Sequence, residues 1–251
     1  MNPEFSGPVN AARAMIEVGR SVEAAALLRD AIRDDPQDAI ALGLLAEVIR
    51  ESDPAASNAA ARSALAAAPE SAWVHAVAAW SANAVGDTDE VVRLCRAAME
   101  LDPWSAYAHE TAAQLFAGQR ETRDEALVAA TRAIELAPHD TDTWVAAGNA
   151  SFAHGRERFH EARQYYEYAL QLDPSNLVAQ RNLAEVHRAR GSMMHSMELL
   201  STLVALDPTD HDSRRRIDEV AKRFLQELVW FSVPVGFVLA LVIQLLVEGW
   251  S

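Results

Sequence analysis

With 251 residues, half of them hydrophobic and only 7% aromatic, the chain can bury a large core built mainly from alanine-rich helices. Thirty-six acidic residues against 22 basic ones leave a net charge of −14, which argues against a general nucleic-acid binder. The single cysteine, Cys95, excludes an internal disulfide and suits a reducing compartment.

Residues 1–7 carry the breakers Pro3 and Gly7, with neither an apolar run nor a basic stretch. They read as a flexible N-terminus and not as a signal peptide. From Pro8 a pattern recurs. Prolines 36, 69, 103, 138, 174 and 208 lie 33, 34, 35, 36 and 34 residues apart. A period in this range marks a stack of repeated units. Alternation of apolar and polar residues is absent, so almost no strand is expected. Each unit predicts a helix A, a short turn, a helix B and then the proline.

Local punctuation supports this reading. Two residues after each of these prolines stand Asp38, Ser71, Ser105, Asp140, Asn176 and Asp210, all good N-cap residues for the next helix A. Helix A is expected to end at Gly19, Gly86, Gly118, Gly155 and Gly191, where a left-handed C-cap suits glycine, and at Asp53-Pro54 in the second repeat. Small residues recur where helices must approach. Twelve before each proline come Ala24, Ser57, Val91, Ala126, Ala162 and Ser196; five before it come Ala31, Ala64, Ala98, Ala133, Ala169 and Leu203.

The fifth unit carries Trp144, Ala147, Gly148, Ala162, Tyr166, Ala169 and Pro174 at the signature places of a known family, with two extra residues between Gly155 and Ala162. The chain resembles the tetratricopeptide repeat family over residues 8–208, six repeats. In the third, fourth and sixth repeats the signature tryptophan place holds His75, His109 and Gln180. The resemblance implies an all-α, right-handed superhelical solenoid of antiparallel helix pairs that acts as a protein-interaction module. It places Trp73, Trp80, Asn83, Tyr107, Glu110, Gln114, Asn149, Phe152, Arg181, Glu185 and Arg188 on the inner groove. Trp73, Trp80 and Tyr107 could form an aromatic anchor patch for a protein segment, or pack on the neighbouring repeat; both readings stay open. Asn149, Asn182 and Arg216 match places where relatives hold a peptide C-terminus, but Val145 and Asp212 replace the lysines of that clamp. Chaperone-tail binding is therefore not expected.

Residues 209–227 continue the pattern as a capping and juxtamembrane helix through Ile217, Val220 and Ala221. Residues 228–247 are uncharged; twenty helical residues span roughly 30 Å, the hydrocarbon thickness. They predict a single transmembrane helix with Trp230 and Trp250 near its ends, and a short tail of residues 248–251. Arg214, Arg215, Arg216, Lys222 and Arg223 all precede it, which places the repeats in the cytoplasm and offers contacts to anionic lipid. Ser232, Gly236, Ala240 and Gln244 recur every four residues, a small or polar stripe that could pack on a partner's membrane helix or on a second copy. The alanine- and arginine-rich, lysine-poor composition points to a GC-rich bacterial genome, and together with the predicted anchor to a bacterial plasma membrane.

Sites for chemistry are absent. The sequence contains no phosphate-cradling glycine loop and no nucleophile elbow. The pairs His154/His160 and His187/His195 lack i,i+4 spacing, and Cys95 falls on a helix B packing place. No cofactor, no metal and no catalytic activity are expected. The reading is a tail-anchored membrane scaffold that serves as accessory subunit of a membrane complex; the alternatives are a regulatory subunit of a membrane enzyme or transporter, and a structural homo-oligomer.

Overall fold

A computed structural model describes residues 7–206 and 214–222. Among the described residues the α-helices are, in order, α1 Pro8–Glu17, α2 Ser21–Asp34, α3 Ala39–Ile49, α4 Pro54–Ala67, α5 Ala72–Ala84, α6 Thr88–Leu101, α7 Ala106–Ala117, α8 Arg123–Leu136, α9 Thr141–Ala153, α10 Phe159–Leu172, α11 Leu177–Ala189 and α12 Met193–Leu206. Residues 214–222 are also helical, and no strand occurs among the described residues. The expected transmembrane helix 228–247, with its stripe Ser232, Gly236, Ala240 and Gln244, lies outside the described residues, as do Arg223 and the tail. Among the described residues no helix is long and apolar enough to cross a membrane.

The helix starts follow from capping chemistry. The first backbone N–H groups of a helix lack intrahelical partners, and a short polar side chain can accept from them. Asp38 accepts from Ile40 and Ala41, Ser71 from Val74, Ser105 from Ala108, Asp140 from Asp142 and Asn176 from Ala179. Asp53 and Asp87 do the same for the B helices α4 and α6. Asp210 lies outside the described residues. Gly19, Gly86, Gly155 and Gly191 take the expected left-handed backbone. Gly118 does not: its φ is −71°, and the chain enters the 3-10 turn Arg120–Thr122 instead. A second such turn, Arg156–Arg158, precedes α10 and takes up the extra residues of the fifth repeat.

The chain divides into two compact units that meet within α10, residues up to Tyr165 and residues from Tyr166 on. In the first unit each A helix packs on the next, α3 on α5, α5 on α7 and α7 on α9. The B helices α2, α4, α6 and α8 pack mainly on the A helices before and after them. A helices therefore form the inner layer and B helices the outer one. The small residues make this possible. Ala24, Ser57, Val91, Ala126 and Ala162 are all fully buried, and so are Ala64, Ala98 and Ala133. Ser57 keeps its hydroxyl satisfied in the core, donating to the Ala46 carbonyl at 2.7 Å and lying 2.9 Å from the Ser81 hydroxyl. Among these alanines Phe116 and Leu94 supply the bulk.

In the second unit, Ala184, Met193, Leu200 and Leu203 form a buried cluster with Val220, and Ile217 packs against it. The helical segment 214–222 thus closes the end of α11 and α12. Tyr166 is buried and its hydroxyl is hydrogen-bonded to Asn182.

Candidate partner-binding surface

The inner face of the first unit is built from α3, α5, α7 and α9. The Tyr107 hydroxyl on α7 donates to Glu47 Oε1 on α3 at 3.0 Å, across 60 residues and with α5 between them. Packed helices stand about 8–10 Å apart, so in a flat layer the axes of α3 and α7 would be roughly 20 Å apart. The A helices pack on one another while the B helices do not, so the layer curves toward this face and brings the two side chains together. The bond therefore marks the face as concave. Beside it the Arg50 guanidinium sits 4.9 Å from the centre of the Trp80 ring, and Gln114 Nε2 donates to Glu110 at 2.8 Å. Asn83 is exposed and Asn149 half-buried.

Electrostatics on this face are governed by desolvation. Burial raises the Glu47 carboxyl, opposed by the bond from Tyr107 and then by Arg50 and Arg13. Burial pushes Glu110 up to about 7, and Asp142 and Asp140 add to the effect; the bond from Gln114 works the other way. Tyr107 is raised too, first by burial and then by Glu47.

The remaining expected residues divide. Trp73 packs between the second and third repeats: its ring lies on Gly43, where a Cβ would come 2.5 Å from Trp73 Cη2. Of the aromatic trio, Trp73 is wedged on the neighbouring repeat, while Trp80 and Tyr107 are half-buried against the core and also engage polar partners on the concave face. Phe152 stacks on Phe159 with ring centres 5.0 Å apart. Val145, at the place of a clamp lysine, is buried in the core. In the second unit Arg188 makes a two-point ion pair with Glu185, its Nε at 2.8 Å, and Arg216 Nη1 approaches the same carboxylate at 3.6 Å. Glu185 is lowered, chiefly by Arg188. Asn182 holds Tyr166, and Arg181 is half-buried. Arg214, Arg215 and Lys222 are exposed.

One recurring bond went unforeseen. Trp144 Nε1 donates to the Pro138 carbonyl at 2.9 Å, His109 Nε2 to Pro103 at 3.1 Å and Gln180 Nε2 to Pro174 at 2.7 Å. Tryptophan, histidine and glutamine can share this place because each carries an N–H that reaches the proline carbonyl six residues back. A carbonyl can only accept, so the His109 proton sits on Nε2; burial further favours its neutral ring. His75 makes a local variant, Nδ1 to the Ser71 carbonyl at 2.9 Å. The fixed six-residue step was a signal for this bond. Cys95 is buried and its thiol is pushed up to about 12 by desolvation. No cluster of metal-ligating residues occurs among the described residues.

No curated protein matches the chain. Residues 153–215 match the model of the tetratricopeptide repeat. Among solved structures, a thermophilic TPR protein of Thermus thermophilus superposes with a TM-score of 0.64 at 20% identity, covering 71% of this chain and 96% of that one. PilW, a widely conserved type IV pilus biogenesis factor, gives 0.66 at 16% identity over 86% of this chain and all of that one. Human IFIT1, solved as a dimer with m7Gppp-AAAA, gives 0.74 at 18% identity over 89% of this chain, which spans 55% of IFIT1. At these identities the likeness is one of fold. The tetratricopeptide repeat is thereby supported twice, by the sequence match over residues 153–215 and by the all-α repeat fold.

Proposed function

We propose that this protein is a scaffold that holds a protein partner at a membrane, with the concave face of its first unit as the recruiting surface and residues 228–247 as the membrane anchor. The observation that carries the recruiting role is the Tyr107–Glu47 bond, which marks a curved inner face lined by Trp80, Arg50 and Glu110. Such a face suits an extended or helical segment, offering an aromatic surface and hydrogen-bonding groups side by side. The anchoring role rests on the sequence alone: twenty uncharged residues preceded by a basic run. A pilus biogenesis factor among the fold's neighbours agrees with an assembly duty. The RNA of the IFIT1 structure does not carry over, since 36 acidic against 22 basic residues disfavour a polyanion.

The test is purification of the full chain from its native membrane in mild detergent, beside two variants. Trp80→Ala with Tyr107→Phe alters the concave face; Gly236→Leu with Gln244→Leu alters the small-residue stripe. Loss of the co-purifying partner from the first variant and its retention by the second is the expected result. The reverse pattern would move assembly into the membrane segment and remove the recruiting role from the concave face.

A further inference from the structure

The outer face of the first unit carries a groove that the repeat itself does not require. It opens where α6 and α8 lie side by side, holds about 590 Å³, and has Met99, Pro103 and Ala129 as its floor. Its walls are Trp104 and Val128, which are 74% and 72% exposed. The lining residue Glu125 makes a two-point pair with Arg96, outside the groove, at 2.8 and 3.0 Å. The lining residue Arg132 lies over the Trp104 ring, 4.7 Å from its centre, and is itself tied to Glu135 at 2.9 Å. The Trp104 backbone N–H donates to Asp102 at 3.0 Å. The backbone at Trp104 is thus fixed by the turn, and Arg132 packs on the otherwise exposed indole.

The repeats provide an internal control. Trp104 stands one residue after its period-setting proline, where the others have Gln37, Glu70, His139, Ser175 and Thr209. Val128 stands ten before its proline, where the others have Ala26, Ala59, Arg93, Gln164 and Glu198. Neither place calls for a large apolar side chain to build the stack. Single exposed apolar residues are ordinary, but two that line one apolar groove mark a contact surface.

Charge identifies the occupant. Glu125 neutralises Arg96 and Glu135 neutralises Arg132. His109 at the floor spends its Nε2 proton on the Pro103 carbonyl. That leaves Asp124 at the rim, its side chain 98% exposed and 3.4 Å from His154. The surplus is negative, on a chain whose net charge is −14. A second copy would bring the same acidic rim and the same net charge, and a nucleic acid would fare worse. We infer that the groove between α6 and α8 is a docking site for a protein segment that presents a large apolar side chain next to a lysine or arginine, the apolar group seated between Trp104 and Val128 and the cation against Asp124. This surface is separate from the concave face and adds a second contact to the scaffold.

The probe is a blocked, fluorescein-labelled heptapeptide with a lysine–phenylalanine–arginine core between glycines and serines, titrated by anisotropy against the full chain in detergent. Control peptides replace the phenylalanine by alanine, or both cations by glutamates. The expected result is binding of the first peptide, with both controls weaker by about tenfold or more. Trp104→Gln with Val128→Ala installs the residues of the first repeat and so keeps the fold, checked by an unchanged helical circular dichroism. It should weaken the probe about tenfold. Asp124→Asn should weaken it about threefold, an effect that shrinks at high salt. The concave-face variant Trp80→Ala should bind the probe as the unaltered protein does; if it does not, the peptide sits on the inner face and the inference is overturned. Indifference of binding to Trp104→Gln with Val128→Ala, or equal binding of the glutamate peptide, overturns it as well. So does self-association of the full chain that this double variant abolishes, which would give the groove to a second copy.

Discussion

Glu110 illustrates how much one residue's chemistry depends on the layer it faces. On an isolated helix it would be an ordinary solvated glutamate. On the concave face, burial and the nearby Asp142 and Asp140 lift its carboxyl to about 7. The unfolded chain releases that proton near pH 4.5, so the folded state holds it more tightly over the interval between. Its contribution to stability is fully present below about pH 4.5 and is lost as pH rises through 7. Glu110→Gln should therefore change stability little at pH 5 and raise it at about pH 8. Full coupling over this interval would be about 3 kcal/mol; partial contact with water reduces the expected gain to about 1–2 kcal/mol. Urea unfolding of both proteins at the two pH values measures it, and a gain that does not grow with pH would refute the assignment. At this scale the caps were legible in the sequence, because an Asp, Ser or Asn side chain bonding the next helix is a local event. The partners of Tyr107 and Asn182 were not. Glu47 lies 60 residues from Tyr107, and only the curvature of the stack brings them together.

Helix packing follows the same division. Buried residues twelve and five before each proline, alanine or serine at all but Val91 and Leu203, were readable from their spacing, because close helix approach favours small side chains at one register. The role of Trp73 was not readable, since it depends on which residue the neighbouring repeat places opposite. That residue is Gly43, and the closeness of Trp73 gives a testable cycle. In a helix interior Gly→Ala ordinarily stabilises by about 1 kcal/mol. Here the added methyl would meet the indole at 2.5 Å, and displacing a ring wedged among core residues costs about 1–3 kcal/mol. Gly43→Ala alone should be neutral to destabilising. In a Trp73→Ala background it should stabilise by about 1 kcal/mol, so that the two substitutions couple by roughly 1–3 kcal/mol. Thermal or urea unfolding of the four proteins closes the cycle. Additive effects would mean that Trp73 leaves Gly43 without strain and is available to the groove after all. Gly118 shows the limit of element-level reading: the glycine marked the helix end, but the following 3-10 turn let the chain continue in a right-handed conformation.

At the scale of the whole molecule, the period of 33–36 residues carried the architecture. A period does not reveal how tightly successive repeats cohere, and the boundary between the two compact units falls inside α10, between Tyr165 and Tyr166, where the sequence runs on through the best-formed repeat. On the proposed reading the apolar stretch 228–247, which begins twenty residues after the last period-setting proline Pro208, sets where the scaffold works. If these twenty uncharged residues form the proposed membrane helix, no moderate change of salt or pH should release the chain. The full chain should remain with the membrane pellet after alkaline carbonate extraction. Val238→Arg with Leu241→Arg places two charges near the midplane at about 2.5–3.5 kcal/mol each, and should move the protein to the supernatant. Release of the unaltered chain by carbonate would reduce the stretch to a peripheral contact. The proposed orientation, with the repeats in the cytoplasm, is the one expected from the basic run Arg214, Arg215, Arg216, Lys222 and Arg223 that precedes the stretch. Protease added outside sealed, right-side-out membrane vesicles should leave the repeats uncut, and lysis should expose them. Digestion before lysis would place the concave face and the Trp104 groove on the far side of the membrane, where the partners they recruit would have to be sought.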